Sequence, residues 1–497
     1  MKTPVINILL AAAAVLTAAC STGVPARYSE SDSAPSLKPD YTSLEIPRNI
    51  APLTFSVLDQ ADGYVSHFRS DKDAGGFVLE GQSPVIPVSR WHELLAGADT
   101  VYVDVYARRD GEWTRFRTVA NAVTDSIDPY IAYRLIEPSY IGFEEMSISQ
   151  RCLENFDESE IFNNSALSTE TTGQCINCHS FHDYNRDGSM QMHVRVGYGG
   201  TVIGRNGQLR KINLKTPETV SSGVYPSWHP DGTMIAYSTN TTTQRFHTRS
   251  TNKVEVQDAS SDLILYDVEA DRSTFISNDS LRLESFPYWH PDGRSLWYVS
   301  ATVPSLSEHD MKLYQALHFR DFHYDLCRRT FDPQTRSFGP EEVVVDAAAD
   351  SVSITLPRPS PDGRYVVFTR GSYGTFHIWH RDADLWMLDT ADGSMRPLDE
   401  VNSPNVESYH SWSSNGRWMI FSTRRDDGSY TRLYLTHLGE NGRFSKPFII
   451  PQATADADSR RFKSYNIPEF MVRPVEFSKK EFVEAIEKDA VNVPMEK

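Results

Sequence analysis

Apolar and polar residues alternate with a period of two along most of this chain, in short runs separated by turn residues. That is the pattern of strands buried on one face. Between Ile46 and about Pro138 the clearest runs are Leu53 to Leu58, Gly76 to Glu80, Thr100 to Tyr106 and Trp113 to Arg117. Asp110-Gly111 between the last two is a hairpin turn, because Gly takes positive φ without steric cost. One helical run, capped by Ser89 and carrying Trp91, Leu94 and Leu95 on one face, interrupts the strands. The spacing predicts a small antiparallel sandwich of immunoglobulin-like type over 46–138.

The pattern changes between 139 and 199, a connector in which Ile148 to Phe156 reads as a short helix. From about residue 200 a block repeats. Tyr225-Pro226-Ser227-Trp228-His229-Pro230-Asp231-Gly232 leads into an apolar strand, and the block returns at Phe286 to Gly293, at Pro359 to Gly363 and, degraded, at Trp412 to Gly416. In each copy Pro sets φ, Asp or Asn caps the turn and Gly takes the left-handed position, so the next strand starts in register. A second strand follows in each repeat, as in Asp262 to Asp267, Tyr324 to Cys327, Asp384 to Asp389 and Arg432 to Leu435. Roughly 50 to 70 residues separate the copies, which is a propeller repeat with insertions. Gly200 to Ile203 and Leu209 to Leu214 supply strands for a further blade. The fold class is therefore all-β: an immunoglobulin-like sandwich followed by a five- or six-bladed propeller over 200–475, with a C-terminal tail at 476–497.

These blocks resemble the TolB-like, WD-like β-propeller repeats of bacterial envelope proteins, over about residues 195 to 475. Together with the N-terminal signal and the cysteine motif described below, the chain is similar to Bacteroidota-type envelope lipoproteins. The resemblance implies fold and location more than reaction.

Residues 1–20 carry Lys2 before an apolar run, Ile8 to Ala19, that ends in small residues at Cys20. This resembles a lipoprotein signal in which Cys20 is lipidated, although Leu16 stands four residues before the cysteine, where the usual aliphatic residue stands three before. An ordinary secretory signal shares the same logic. Ser21 in place of Asp favours the outer membrane by the same analogy. Residues 21–45, rich in Ser, Pro, Asp and Glu, read as a flexible linker holding the folded part off the membrane. The net charge of −17 over 497 residues repels nucleic acid and anionic lipid surfaces, so membrane contact is expected through the anchor alone.

The chemistry concentrates at Cys175-Ile176-Asn177-Cys178-His179, a single C-x-x-C-H in a chain with five cysteines. That spacing attaches c-type haem: Cys175 and Cys178 each add to a vinyl group, and His179 stands as the proximal iron ligand. Met190, Met192 and His193 are the nearest candidates for the second axial position, each also readable as a packed strand residue. Two alternatives use the same thiols: a tetrahedral zinc site completed by His182 and His193, or a local disulfide. The remaining Cys152 and Cys327 are a candidate disulfide in an exported chain.

His229 and His290 recur at one turn position, which reads as packing against the blade edge and not as a metal pair. His377, His380 and Asp382, near Trp379, read as a solvated insertion loop that could line the propeller mouth. There is no G-x-S-x-G elbow, no H-E-x-x-H and no phosphate-binding loop. The sequence therefore points to a haem-carrying envelope protein in electron transfer or redox sensing, with an envelope redox or scaffold protein as partner. The alternatives are a haem-free propeller scaffold that binds a glycan or an envelope protein, and a polysaccharide hydrolase or lyase.

Overall fold

In the computed structural model, residues 23–138, 145–167, 175–250 and 252–496 are described. Their organising feature is a four-stranded antiparallel meander that occurs six times among these residues. Unit I runs through Ile176–Phe181, Met190–Val194, Gly200–Arg205 and Gln208–Asn213. Unit II starts at Gly223–Trp228, unit III at Arg282–Trp289, unit IV at Ser353–Pro359 and unit V at Glu407–Trp412, each continuing outward through three more strands. Unit VI is assembled from both ends of the chain. Its inner strand, Ser464–Met471, pairs with Tyr130–Ile136, which leads out through Ser147–Cys152 to Glu158–Asn163.

The six inner strands touch in a closed cycle, I to II and on to VI, then back to I. This is a β-propeller closed by strands distant in sequence, so that ring closure depends on residues from 130 and from 464 meeting. The stretch read as a helix near Ile148 is a strand of this closing unit. It pairs with Tyr130–Ile136 on one side and Glu158–Asn163 on the other, and because nearly every residue of it is buried it carries no period-two alternation to mark it as a strand.

Adjacent units are clasped at their turns. His182 Nε2 meets the Pro230 carbonyl oxygen at 3.0 Å, His229 Nε2 meets that of Gly293 at 3.0 Å, and His290 Nε2 meets that of Gly363 at 3.2 Å. Each ring also sets Nδ1 against its own turn carboxylate, Asp187, Asp231 or Asp292. Unit V reaches unit VI without a histidine, through Ser414, whose amide and hydroxyl both donate to Asp128. His229 and His290 are thus turn clasps.

The N-terminal domain holds one mixed seven-stranded sheet and a separate antiparallel pair, Leu37–Lys38 with Ser56–Val57. Glu112–Arg115 and Val119–Thr124 both pair with the long strand Thr100–Arg109, along different halves of it. Two of its pairings are parallel, Ser29–Glu30 with Glu112–Arg115 and Glu45–Pro47 with Val119–Thr124. The helix Val88–Leu95 buries Trp91, Leu94 and Leu95, as its spacing requires. The core under this sheet continues into unit V through Trp418, Ile420 and Leu435. Period two reports a buried face and leaves open what covers it, and here a propeller blade helps to cover it.

Three boundaries read from the sequence move. Tyr130–Ile136 belongs to the propeller and not to the N-terminal domain; the connector 139–199 supplies two strands of unit VI and two of unit I. Within the linker, Leu37, Tyr41 and Leu44 are buried and Lys446 bonds Asp40, so that from Ser29 onward the segment is built into the domain. The tail is also structured. Helix Lys479–Glu487, with a Ser478/Glu481 capping box, buries Phe482 and Ile486, and Val491–Asn492 and Met495–Glu496 add parallel edges to units I and II. No helix among the described residues is long and apolar enough to cross a membrane.

Candidate functional site

Each inner strand is broken at the same place by a two-residue bulge. Its first residue has left-handed backbone in all six units: Cys178 (φ 51°), Tyr225 (49°), Phe286 (54°), Leu356 (54°), Tyr409 (45°) and Ile467 (51°). For residues with a Cβ this costs on the order of 1 kcal/mol each, so six repeats mean that the surrounding strands impose it. All six line one narrow space on the propeller axis. The second bulge residue is Pro226, Pro287, Pro357 or Pro468 in four units, and His179 or His410 in the other two.

The second cysteine and the histidine of C-x-x-C-H therefore form the bulge of unit I. Cys178 and His179 both face the axial throat, a space of about 40 Å³. Cys175, just before the strand, faces a wider cavity of about 380 Å³ together with Met146, Trp379, Arg134 and Arg195. A ligand pocket is typically ~300 to 1,000 Å³, so the cavity is of ligand size and the throat is not. Cys175 and Cys178 are both free thiols, which removes the local disulfide.

His179 is buried, and neither ring nitrogen completes a hydrogen bond. Burial drives its pKa down to about 3, with Arg134 and Arg358 adding to the depression and the nearby backbone of Ile467 opposing it. The imidazole is thus neutral, with unused nitrogen atoms in a protein interior where such groups are usually paired. Burial also raises the Cys178 thiol, against the pull of Arg195 and Arg134.

Other predicted residues are placed elsewhere. Met190 and Met192 belong to an apolar cluster with Ile176, Phe181, Phe162 and Phe482, as packed strand residues. His193, paired across the strands with Asn177, bonds Thr201 Oγ1 through Nδ1 at 3.2 Å. His182 is held by Asp187 and the Pro230 carbonyl, so Cys175, Cys178, His182 and His193 do not assemble as a zinc set. No group of three or more such side chains is poised for a metal ion among the described residues. Cys152 and Cys327 are buried free thiols on units VI and III, opposite each other in the ring, so the candidate disulfide between them does not form. Cys20 lies outside the described residues.

Of the His377, His380 and Asp382 cluster, read as a solvated loop, only Asp382 is exposed. His377 and His380 are buried: His377 Nδ1 meets Thr355 Oγ1 at 3.1 Å, and His380 Nε2 meets Glu255 at 3.1 Å. Glu255 also accepts from the Tyr373 hydroxyl at 2.8 Å. This ties the loop to the long hairpin of unit II beside the Cys175 cavity. Sequence reasoning missed Arg134 and Arg195 at the Cys175 cavity and Arg358 and Glu469 at the throat, which come together only once six units close.

No protein-family model matches this chain, and no curated protein does. Among solved structures it is similar to the tricorn protease, 11% identical with a TM-score of 0.35, over 74% of this chain and 34% of that one. It is also similar to prolyl oligopeptidase B from Galerina marginata, 9% identical with a TM-score of 0.35, over 65% and 44%. A third similarity, to hydrazine synthase from Kuenenia stuttgartiensis, is 11% identical with a TM-score of 0.29, over 52% and 75%. The chain spans about a third to a half of the length of those peptidase chains. The propeller rests on its own strand pairing.

Proposed function

We propose that this chain is an exported envelope lipoprotein whose propeller carries one covalent haem c at Cys175, Cys178 and His179, serving electron transfer or redox sensing with an envelope partner. The observation that supports it best is the buried, neutral imidazole of His179, without a hydrogen-bond partner, next to the free thiol of Cys178 on one bulged strand that the free thiol of Cys175 immediately precedes. An orphaned buried imidazole is costly in a native interior, and a metal ligand relieves that cost.

The donor set suits the group. Cys175 and Cys178 would hold it by thioethers and His179 as a ligand, and the cavity at Cys175 adds apolar walls with Arg134 and Arg195 for carboxylates. Bound there, haem supplies one-electron chemistry. The protein's own part begins with burial, which keeps the lone pair of His179 free of protons far below neutral pH. Tyr225, Phe286, Leu356 and Tyr409 close the throat around that ring and limit water. The guanidinium of Arg195, accessible in the cavity and flanked by both thiols, adds fixed positive charge to the site. The lipid anchor at Cys20 would hold the propeller at the envelope. Haem staining of exported protein on a denaturing gel tests the reading: a band at the mass of the chain supports it, and none after proven maturation refutes it.

A further inference from the structure

The opposite mouth of the propeller, where the clasped turns lie, opens into a second cavity of about 350 Å³. Its floor is made by the residue that follows each bulge: Ser180, Ser227, Tyr288, Arg358, Ser411 and Glu469. Four are neutral. Arg358 on unit IV and Glu469 on unit VI are ionisable, with unit V standing between them in the ring.

Both are accessible within the cavity, and among the described residues neither makes an ion pair. The Arg358 guanidinium lies over the Tyr288 ring, 4.3 Å from its centroid. Burial pushes Glu469 up to about 7, while Arg358 and the backbone of Phe181 pull it down. The other charges at this mouth are already satisfied: Arg186 bonds Asp183 at 3.0 Å, and His182 bonds Asp187 at 2.9 Å. Trp228, Tyr184 and Phe470 add aromatic walls.

A guanidinium and a carboxyl kept beyond ion-pair contact in one small cavity are each half of a recognition site. A simple anion on Arg358 would be repelled by Glu469, and a simple cation on Glu469 by Arg358. A ligand bearing both charges satisfies the two at once, and the aromatic walls take an apolar side chain. We propose that this mouth binds a free amino acid with an aromatic side chain, its carboxylate on Arg358 and its ammonium on Glu469. This mouth shares no lining residue with the cavity at Cys175, although Arg358 and Glu469 also reach the throat at His179.

The test is calorimetric titration of the full purified chain with a panel of free amino acids led by L-phenylalanine, beside N-acetylphenylalanine and phenylalaninamide. Phenylalanine is expected to bind saturably, and each blocked form at least about tenfold more weakly, the loss of one charge-assisted hydrogen bond. Glu469→Gln should weaken phenylalanine tenfold or more and leave N-acetylphenylalanine no weaker; Arg358→Gln should weaken phenylalanine and leave phenylalaninamide no weaker. Equal binding of N-acetylphenylalanine and phenylalanine, or no saturable binding across the panel by folded protein, overturns the proposal. If either variant fails to fold, the comparison of free with blocked ligands on the native chain decides alone.

Discussion

His229, on the turn of unit II, is bound through Nε2 to the carbonyl oxygen of Gly293 on the turn of unit III, 3.0 Å away. The same ring packs edge-on against Trp289, 4.6 Å between centroids. A repeated sequence block thus makes an inter-unit joint, since each turn's glycine leaves room for the preceding unit's histidine. A Cβ at Gly293 would lie 2.8 Å from Nε2, at a φ of +64° that disfavours any side chain.

His229→Ala removes a buried ring and a hydrogen bond, so it should lower stability by about 2 to 4 kcal/mol. Gly293→Ala should destabilise by a similar amount without deleting any contact. Urea denaturation followed by tryptophan fluorescence reads both. A change under about 0.5 kcal/mol in either would mean that the joint is not structural.

Glu284 on the inner strand of unit III is fully buried, with neither carboxylate oxygen hydrogen-bonded. Burial raises its pKa to about 7 from an ordinary value of 4.5. A raised acid binds protons more tightly folded than unfolded, so its penalty is present above the folded pKa and fades as pH falls. Glu284→Gln should therefore gain on the native chain by about 3 kcal/mol between pH 5 and pH 8. Parallel denaturation curves at the two pH values measure the difference; a constant gap between the proteins would contradict it.

His179, His193, His377 and His410 are all held near a pKa of about 3 by burial. Their unfolded forms protonate near ~6.5, so folding loses stability as pH falls through the interval between these values. Raised acids such as Asp258, Asp262 and Glu469 gain stability over the upper part of that interval and are spent once the unfolded carboxyls protonate near ~4. The melting temperature should stay nearly level from about pH 7 to 5 and drop steeply below about pH 4. Calorimetry across pH checks this, and a melting temperature that holds down to pH 3 would refute it.

The turns of units II to V were legible because Pro, Asp and Gly each do a local steric task that leaves a mark on sequence. Unit I carries the same turn in a longer form, from His182 to Gly188, with Asp183, Tyr184 and Asn185 all at positive φ, and this hid it. Unit VI has no such turn because its two inner strands come from opposite ends of the chain. The C-x-x-C-H motif was legible as spacing, whereas its setting was not. That Cys178 occupies the same bulge as Tyr225 and Phe286 emerges only from strand pairing, and Arg358 and Glu469 look in sequence like any surface charges. Tyr41 and Leu44 sat in a composition typical of linkers, yet both are buried, since a few anchoring residues suffice to dock a polar segment.

Cys152 and Cys327, on opposite units, are buried thiols. Protein denatured in the absence of reductant should show both titrating with Ellman's reagent, and Cys175 and Cys178 should be unreactive if they are in thioether linkage. Four reactive thiols would mean that no covalent group is attached, and none would mean that Cys152 and Cys327 are oxidised.

The most direct measurement is a pyridine haemochrome spectrum of denatured protein, made in a host with c-type maturation machinery, for the native chain and for Cys175→Ser/Cys178→Ser. The account predicts a c-type spectrum with about one haem per native chain, surviving acid-acetone extraction, and none in the double variant. A fully exported, folded native chain without covalent haem, or equal haem in both proteins, would contradict it.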